Sequence, residues 1–289
     1  MKVFFFGLGY CARRFIALDP TIEASGTARS AEAVAALGAE GVAARRFDGE
    51  LWDKDLAADL DRAEAIVVSI PPDPGGDAAL ERFGERVARA PRLNRILYLS
   101  TIGVYGDHGG KWVDETSATL AVSGRGRARL AAEAGWRAIG AARGVAVDVL
   151  RLSGIYGPGR NALVKLSAGE ARRIVKPGHV FNRCHVDDVA QGMRLALNSQ
   201  GAGEIWNVAD EEPAPPEDVI AYAAALLGLP PPPEEPFATA KLAPMAASFY
   251  ADEKRVSIAK AKSRLGFRPI YPTYREGLAA LAAAGEGRA

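Results

Sequence analysis

Two rhythms of apolar residues alternate along the chain. Lys2–Phe6 is a short continuous apolar run, and strand-like runs recur at Ile22–Thr27, Ala65–Ile70, Ile96–Ser100 and Val145–Leu152. Short apolar runs of this kind suit strands buried on both faces of a parallel sheet. Between them lie Ala-, Arg- and Glu-rich stretches with helical spacing at 30–37, 78–90 and 126–142, and a shorter strand-like segment at Arg45–Phe47. Strands alternating with helices predict an α/β chain with a doubly wound parallel sheet.

After Arg151 the alternation loosens, and Gly, Pro and aromatic residues mark an irregular segment at Tyr156-Gly157-Pro158-Gly159-Arg160. A strand-like Ile205–Val208 and a helix-like Pro216–Leu227 follow, and Pro230–Pro233 reads as a stiff spacer between packed elements.

Charge narrows the ligands. With 36 Lys and Arg against 35 Asp and Glu, the chain has no overall field for nucleic acid or an anionic membrane, so an anionic ligand needs a local site. The apolar start MKVFFF is broken by Gly7, Gly9, Arg13 and Arg14, and no run approaches the roughly 18 apolar residues of a membrane span. A cytoplasmic protein is expected. Cys11 and Cys184, with scattered His108, His179 and His185, give neither a disulfide framework nor metal-ligand spacing, so no metal is expected.

Gly7-Leu8-Gly9-Tyr10-Cys11-Ala12 fits G-x-G-x-x-A between a strand and a helix, the context in which that pattern binds a dinucleotide. Gly7 permits the tight turn, Gly9 lets backbone approach a pyrophosphate, and Ala12 lets helix and strand pack closely. The fold implied is a Rossmann domain, with expected bounds 1–151 and 182–210, beside a smaller substrate lobe at 152–181 and 211–289. An NAD site places an acid at the end of the second strand, but here that end reads Thr27-Ala28-Arg29-Ser30. Arg29 suits a 2′-phosphate, with Thr27 or Ser30 adding a hydroxyl, so NADP(H) is expected rather than NAD. The alternative for Arg29 is a solvated charge at a helix start. Asp48 could reach the adenine, and Ser69-Ile70-Pro71 could line the pyrophosphate groove.

Further segments carry a family resemblance: Ser100-Thr101-Ile102-Gly103-Val104-Tyr105-Gly106, Arg151-Leu152-Ser153-Gly154-Ile155-Tyr156-Gly157-Pro158-Gly159-Arg160, and His185-Val186-Asp187-Asp188-Val189-Ala190. With the glycine loop, they make the chain resemble the extended short-chain dehydrogenase/reductases, the NAD(P)-dependent epimerase/dehydratase family. The resemblance implies that Ser100, Leu152 and Ser153 border the cofactor and that Thr101 sits beside the reacting hydroxyl or carbonyl. It also implies a homodimer in which the 126–142 helix packs against its twin.

The family's Tyr-x-x-x-Lys pair falls on Arg125 and Arg129, one helical turn apart. A phenol can be tuned to exchange a proton, whereas a guanidinium effectively cannot lose one. Arg129 could hold the nicotinamide ribose, Arg125 could polarise a carbonyl or bind a carboxylate or phosphate, and Tyr105 or a water is left as the acid. A literal Tyr250-Ala251-Asp252-Glu253-Lys254 lies outside the expected helix and reads as coincidence. Asp187 and Asp188 read as a helix N-cap. The pattern is most similar to atypical members lacking the catalytic Tyr. Two functions follow: an NADP(H)-dependent oxidoreductase or epimerase-like enzyme on a small anionic substrate, or a non-catalytic NADP(H)-binding sensor or interaction protein.

Overall fold

The computed structural model describes residues 1–288. Its first half alternates β1 (Lys2–Phe6), α1 (Tyr10–Leu18), β2 (Glu23–Ala28), α2 (Ala31–Ala39), β3 (Ala43–Arg46), α3 (Leu56–Arg62), β4 (Ala65–Val68), α4 (Ala78–Arg89) and β5 (Arg95–Thr101). A two-residue β6 (Trp112–Val113), the long α5 (Gly124–Arg143) and β7 (Ala146–Leu152) follow. The second half contains β8 (Gly154–Tyr156), α6 (Ala162–Ser167), β9 (Arg173–Val175), β10 (Arg183–His185), α7 (Val186–Leu197) and β11 (Ile205–Val208). It ends with α8 (Pro216–Leu227), β12 (Glu234–Pro236), α9 (Pro244–Phe249), β13 (Arg255–Val256) and α10 (Tyr274–Ala283).

Seven strands form one parallel sheet in the order β11-β7-β5-β4-β1-β2-β3. The chain starts at β1, winds outward to β3 and returns to β4 on the other side of β1. That reversal opens a ligand crevice at the carboxyl ends of β1 and β4. It is the doubly wound Rossmann architecture expected from the sequence.

The continuous apolar run of β1 follows from burial on both faces. Phe6 meets Phe83 of α4 at 5.6 Å and Trp136 of α5 at 6.2 Å between ring centroids, while Phe5 turns the other way to Phe15 of α1 at 6.1 Å. Each fully buried ring contributes about 1.5–3 kcal/mol.

The chain divides into two compact units. The first comprises 1–104, 122–151 and 189–206; the second comprises 105–121, 152–188 and 207–289. The second unit has its own apolar core, including Tyr156, Leu163, Val219, Tyr274 and Leu278. This division differs from the expected one at 105–121, 182–188 and 207–210. The reason is strand pairing: β6 pairs with β13 and β10 with β8, which ties 105–121 and 183–185 to the second unit.

Two other expectations change in that unit. Helix α7 begins at Val186, so Asp187 and Asp188 lie inside its first turn, and the Asp188 carboxylate accepts the backbone N–H groups of Ile270 and Tyr271. It staples a distant segment instead of capping its helix. Tyr250 is buried among aromatic rings and Lys254 donates to the Gly106 carbonyl at 2.8 Å, so that Tyr-x-x-x-Lys is structural.

Candidate active site

The turn after β1 is fixed by its neighbours. Gly7 has φ +95°, and a Cβ there would stand 2.9 Å from the Ser69 hydroxyl oxygen. Its N–H donates to Thr27 Oγ1 at 2.9 Å, and Ser69 Oγ donates to its carbonyl at 2.6 Å. The backbone N–H groups of Ser69 and Ile70 both donate to the Phe6 carbonyl. Thr27 is fully buried. Thr27 and Ser69 therefore hold the turn, which corrects the expectation that they serve the ligand.

Beyond this turn lies the start of α1. Its N-cap is Gly9, no side chain caps it and no acid lies in its first turn. Nothing stands within 4 Å of where a Gly9 Cβ would lie. Tyr10 and Cys11 open the helix, and Ala12 is buried against the sheet. A helix start with a glycine N-cap, no acid in its first turn and a partial positive charge suits an anion. The residues present thus fit a dinucleotide pyrophosphate.

Arg29 is exposed at the carboxyl end of β2, and no carboxylate among the described residues pairs with it. The neighbouring strand ends in a second arginine: Ala28 of β2 is in register with Arg46 of β3. Arg46, which the sequence does not single out, thus lies level with Ala28, one residue before Arg29, on the next strand. Ser30 caps α2, accepting from the Ala33 N–H at 3.3 Å. Asp48 folds its own loop, accepting from the N–H groups of Glu50 and Leu51 at 3.1 and 2.8 Å and from Arg46 Nη2 at 2.9 Å. Those backbone donors hold its carboxyl below the usual range. The Asp48 carboxylate is committed before any adenine arrives, and Pro71 lies exposed on the β4 loop.

At the end of β5, Thr101 is half-buried and its Oγ1 accepts from the Gly103 N–H at 3.1 Å, leaving the hydroxyl hydrogen to donate elsewhere. Ser100 points inward and donates to Glu133 Oε1 at 2.5 Å. Glu133 of α5 also takes Arg151 of β7 through Nη2 at 2.8 Å and Nε at 3.2 Å, all three residues being buried. The Ser100 side chain thus braces α5 and is not directed to a cofactor.

Arg125 is exposed on the first turn of α5 and has no partner among the described residues. That turn carries no acid, an arrangement opposite to the one a helix N-terminus favours, so an anion there is stabilised by both dipole and guanidinium. Arg129 is turned back: its Nη1 donates to the Leu99 carbonyl and its guanidinium lies 5.9 Å from the centre of the Tyr98 ring.

In the second unit, Tyr105 is fully buried and its hydroxyl donates to Asn207 Oδ1 at 2.7 Å. Asn207 is fixed in turn, its N–H donating to Glu115 and its side-chain amide to the Ser257 carbonyl. That network removes Tyr105 as an acid. Leu152 ends β7 and Ser153 follows it, both buried, and the Ser153 N–H donates to the Val208 carbonyl at 3.1 Å. Among the described residues no cluster of three metal-ligating side chains occurs, and no helix is long and apolar enough to cross a membrane.

The family model for the NAD dependent epimerase/dehydratase family matches residues 85–209. Protein YeeZ of Escherichia coli (strain K12) is 36% identical over 185 residues, which is 62% of this chain and 64% of that protein, somewhat under two thirds of its length. The structure of a functionally unknown conserved protein from Silicibacter pomeroyi DSS is 43% identical over 99% of each chain, with a TM-score of 0.88. UDP-glucuronic acid 4-epimerase from Bacillus cereus, in complex with NAD, shares the fold at 17% identity, a TM-score of 0.73 and 97% coverage of both chains.

Proposed function

The chain belongs to the NAD-dependent epimerase/dehydratase family, and from that premise we propose that it is an NADP(H)-binding oxidoreductase of epimerase or reductase type acting on a small anionic metabolite. The observation that carries this reading is the N-terminus of α1 directly behind the Gly7 turn, with Gly9 as its N-cap, open space beside Gly9 and no acid in its first turn. Helix donors there would take the pyrophosphate, with Arg29, supported by Arg46 at the next strand end, facing a 2′-phosphate. When bound, such a cofactor gives or takes a hydride.

Around it, Thr101 would donate its hydroxyl hydrogen to the substrate's reacting oxygen, and Arg125 would bind a carboxylate or phosphate on the same molecule. Neither group can cycle a proton near neutral pH, and Tyr105 is held by Asn207, so the proton passes through a bound water.

The turned-back Arg129 favours a second reading, an NADP(H)-binding sensor without turnover. NADPH oxidation measured against a panel of carbonyl-bearing carboxylates and phosphates separates the two. The enzyme reading expects consumption with one of them, reduced at least about tenfold in Thr101→Val and in Arg125→Ala. Tight binding with no oxidation across the panel selects the sensor.

A further inference from the structure

The second unit contains a histidine that neither cofactor nor substrate chemistry uses. His179, in the loop between β9 and β10, is 1% exposed, and neither ring nitrogen makes a hydrogen bond of normal geometry, although the Phe249 backbone lies nearby. Its ring stacks on Tyr250 at 5.2 Å between centroids and 25° between planes, and meets Phe181 edge-on at 4.9 Å. Tyr250 stacks on its other side against Phe237 at 5.0 Å. The result is a ladder of rings, Phe237, Tyr250 and His179, with Phe181 across its end.

The ladder holds down one stretch of chain. Within 237–250, Tyr250 is the one buried residue among those described, and α9 in its middle buries none. Met245 and Phe249 are 53% and 61% exposed. Other ties are few: the Phe237 N–H to the Val175 carbonyl, Arg172 Nη1 to the Lys241 carbonyl, and Lys176 Nζ to the Tyr250 carbonyl at 2.6 Å. Segments anchored by so little buried surface open before the rest of a domain.

Charge on His179 would work against that anchor. An imidazolium donates from both nitrogens, and the one acceptor that favours it here, the Phe249 backbone, stands outside normal hydrogen-bond geometry. Lys176 and Lys254 face the ring with the same sign, and Arg183 lies across Phe181. Glu253 opposes them, but Asp252 stands 3.8 Å from Lys254, and Asp107 is taken by the N–H groups of Glu253 and Gly109. The Tyr250 face would attract a cation. Lost hydration and the lysines prevail, and burial pushes His179 below the ordinary histidine value. Its contribution is therefore complete above about pH 6.5 and is lost as pH falls further.

We propose that His179 is an acid-sensitive latch: neutral, it clamps Tyr250 and so holds residues 237–250 against their unit; protonated, it releases them. Amide hydrogen exchange on the full chain tests this at about pH 7.5 and about pH 5, each converted to protection factors so that intrinsic rates cancel. The wild type should lose at least about tenfold protection across 237–250 at the lower pH, while His179→Phe, which keeps the ring and cannot charge, should keep it. Equal losses in both proteins would overturn the proposal. A His179 titration followed by NMR on the wild type decides the matter if the variant folds poorly: a midpoint below about 6.5 agrees with the latch, and one at or above that value overturns it.

Discussion

Arg129 donates from Nη1 to the carbonyl oxygen of Leu99, two residues before Thr101 on the same strand. The side chain that replaces the family's lysine thus ties α5 to β5, and its loss should register as stability before it registers as binding. Arg129→Ala should cost about 1–2 kcal/mol in urea denaturation. Its NADPH affinity should stay within about threefold of the wild type, well under the tenfold that 1.4 kcal/mol would produce. A large loss of affinity with unchanged stability would return Arg129 to the ribose.

The two glycines of the turn should behave differently. Gly7→Ala forces a Cβ toward Ser69 at φ +95° and should destabilise the fold by about 1–3 kcal/mol. Gly9→Ala has open space around its methyl group, so it should change stability by less than about 1 kcal/mol. The same methyl would stand where a pyrophosphate approaches, and NADPH affinity should fall at least about tenfold. Thermal denaturation paired with binding isotherms separates the outcomes; a Gly9→Ala protein that binds normally removes the pyrophosphate from that spot.

Buried Glu133 joins Ser100 and Arg151 in one network. Glu133→Ala would leave the Arg151 guanidinium buried without its carboxylate, at a cost of about 3–5 kcal/mol. Ser100→Ala removes one hydrogen bond and should cost about 1–2 kcal/mol. Chemical denaturation of both variants checks the ranking, and a Glu133→Ala loss no larger than that of Ser100→Ala would contradict it.

Burial raises two acids of the second unit. Asp210 is pushed up to about 8 against the pull of Arg183, and Asp188 to about 7 against the N–H groups of Ile270 and Tyr271. Both keep their protons in the folded chain at pH values where the unfolded chain has lost them. Their contribution to stability therefore declines as pH rises from about 4 and is gone by about 8. Denaturation midpoints measured across that range should fall with pH, and Asp210→Asn should flatten the curve. A wild-type curve that rises throughout would contradict these shifts.

What the sequence discloses follows from how local each signal is. Three successive phenylalanines in β1 announce a strand buried on both faces, and Gly7, Gly9 and Arg29 sit at strand ends that the alternation alone locates. Side-chain rotation is not local. Thr27, Ser69 and Ser100 occupy ligand-facing levels of the sheet, yet their hydroxyls serve Gly7 and Glu133, and no pattern of residue types distinguishes the two directions. The same limit hides the assignment of 105–121 to the second unit, because it depends on two-residue β6 finding β13 far along the chain.

We propose that the turn behind β1 and the arginine after β2 bind NADP(H). Calorimetric titration with NADPH and NADH, on the wild type and on Arg29→Ala, tests it most directly. The wild type should bind NADPH at least about tenfold more tightly than NADH, and the variant should lose most of that preference while still binding NADH. Equal affinities in the wild type, or a preference that survives the loss of Arg29, would contradict it.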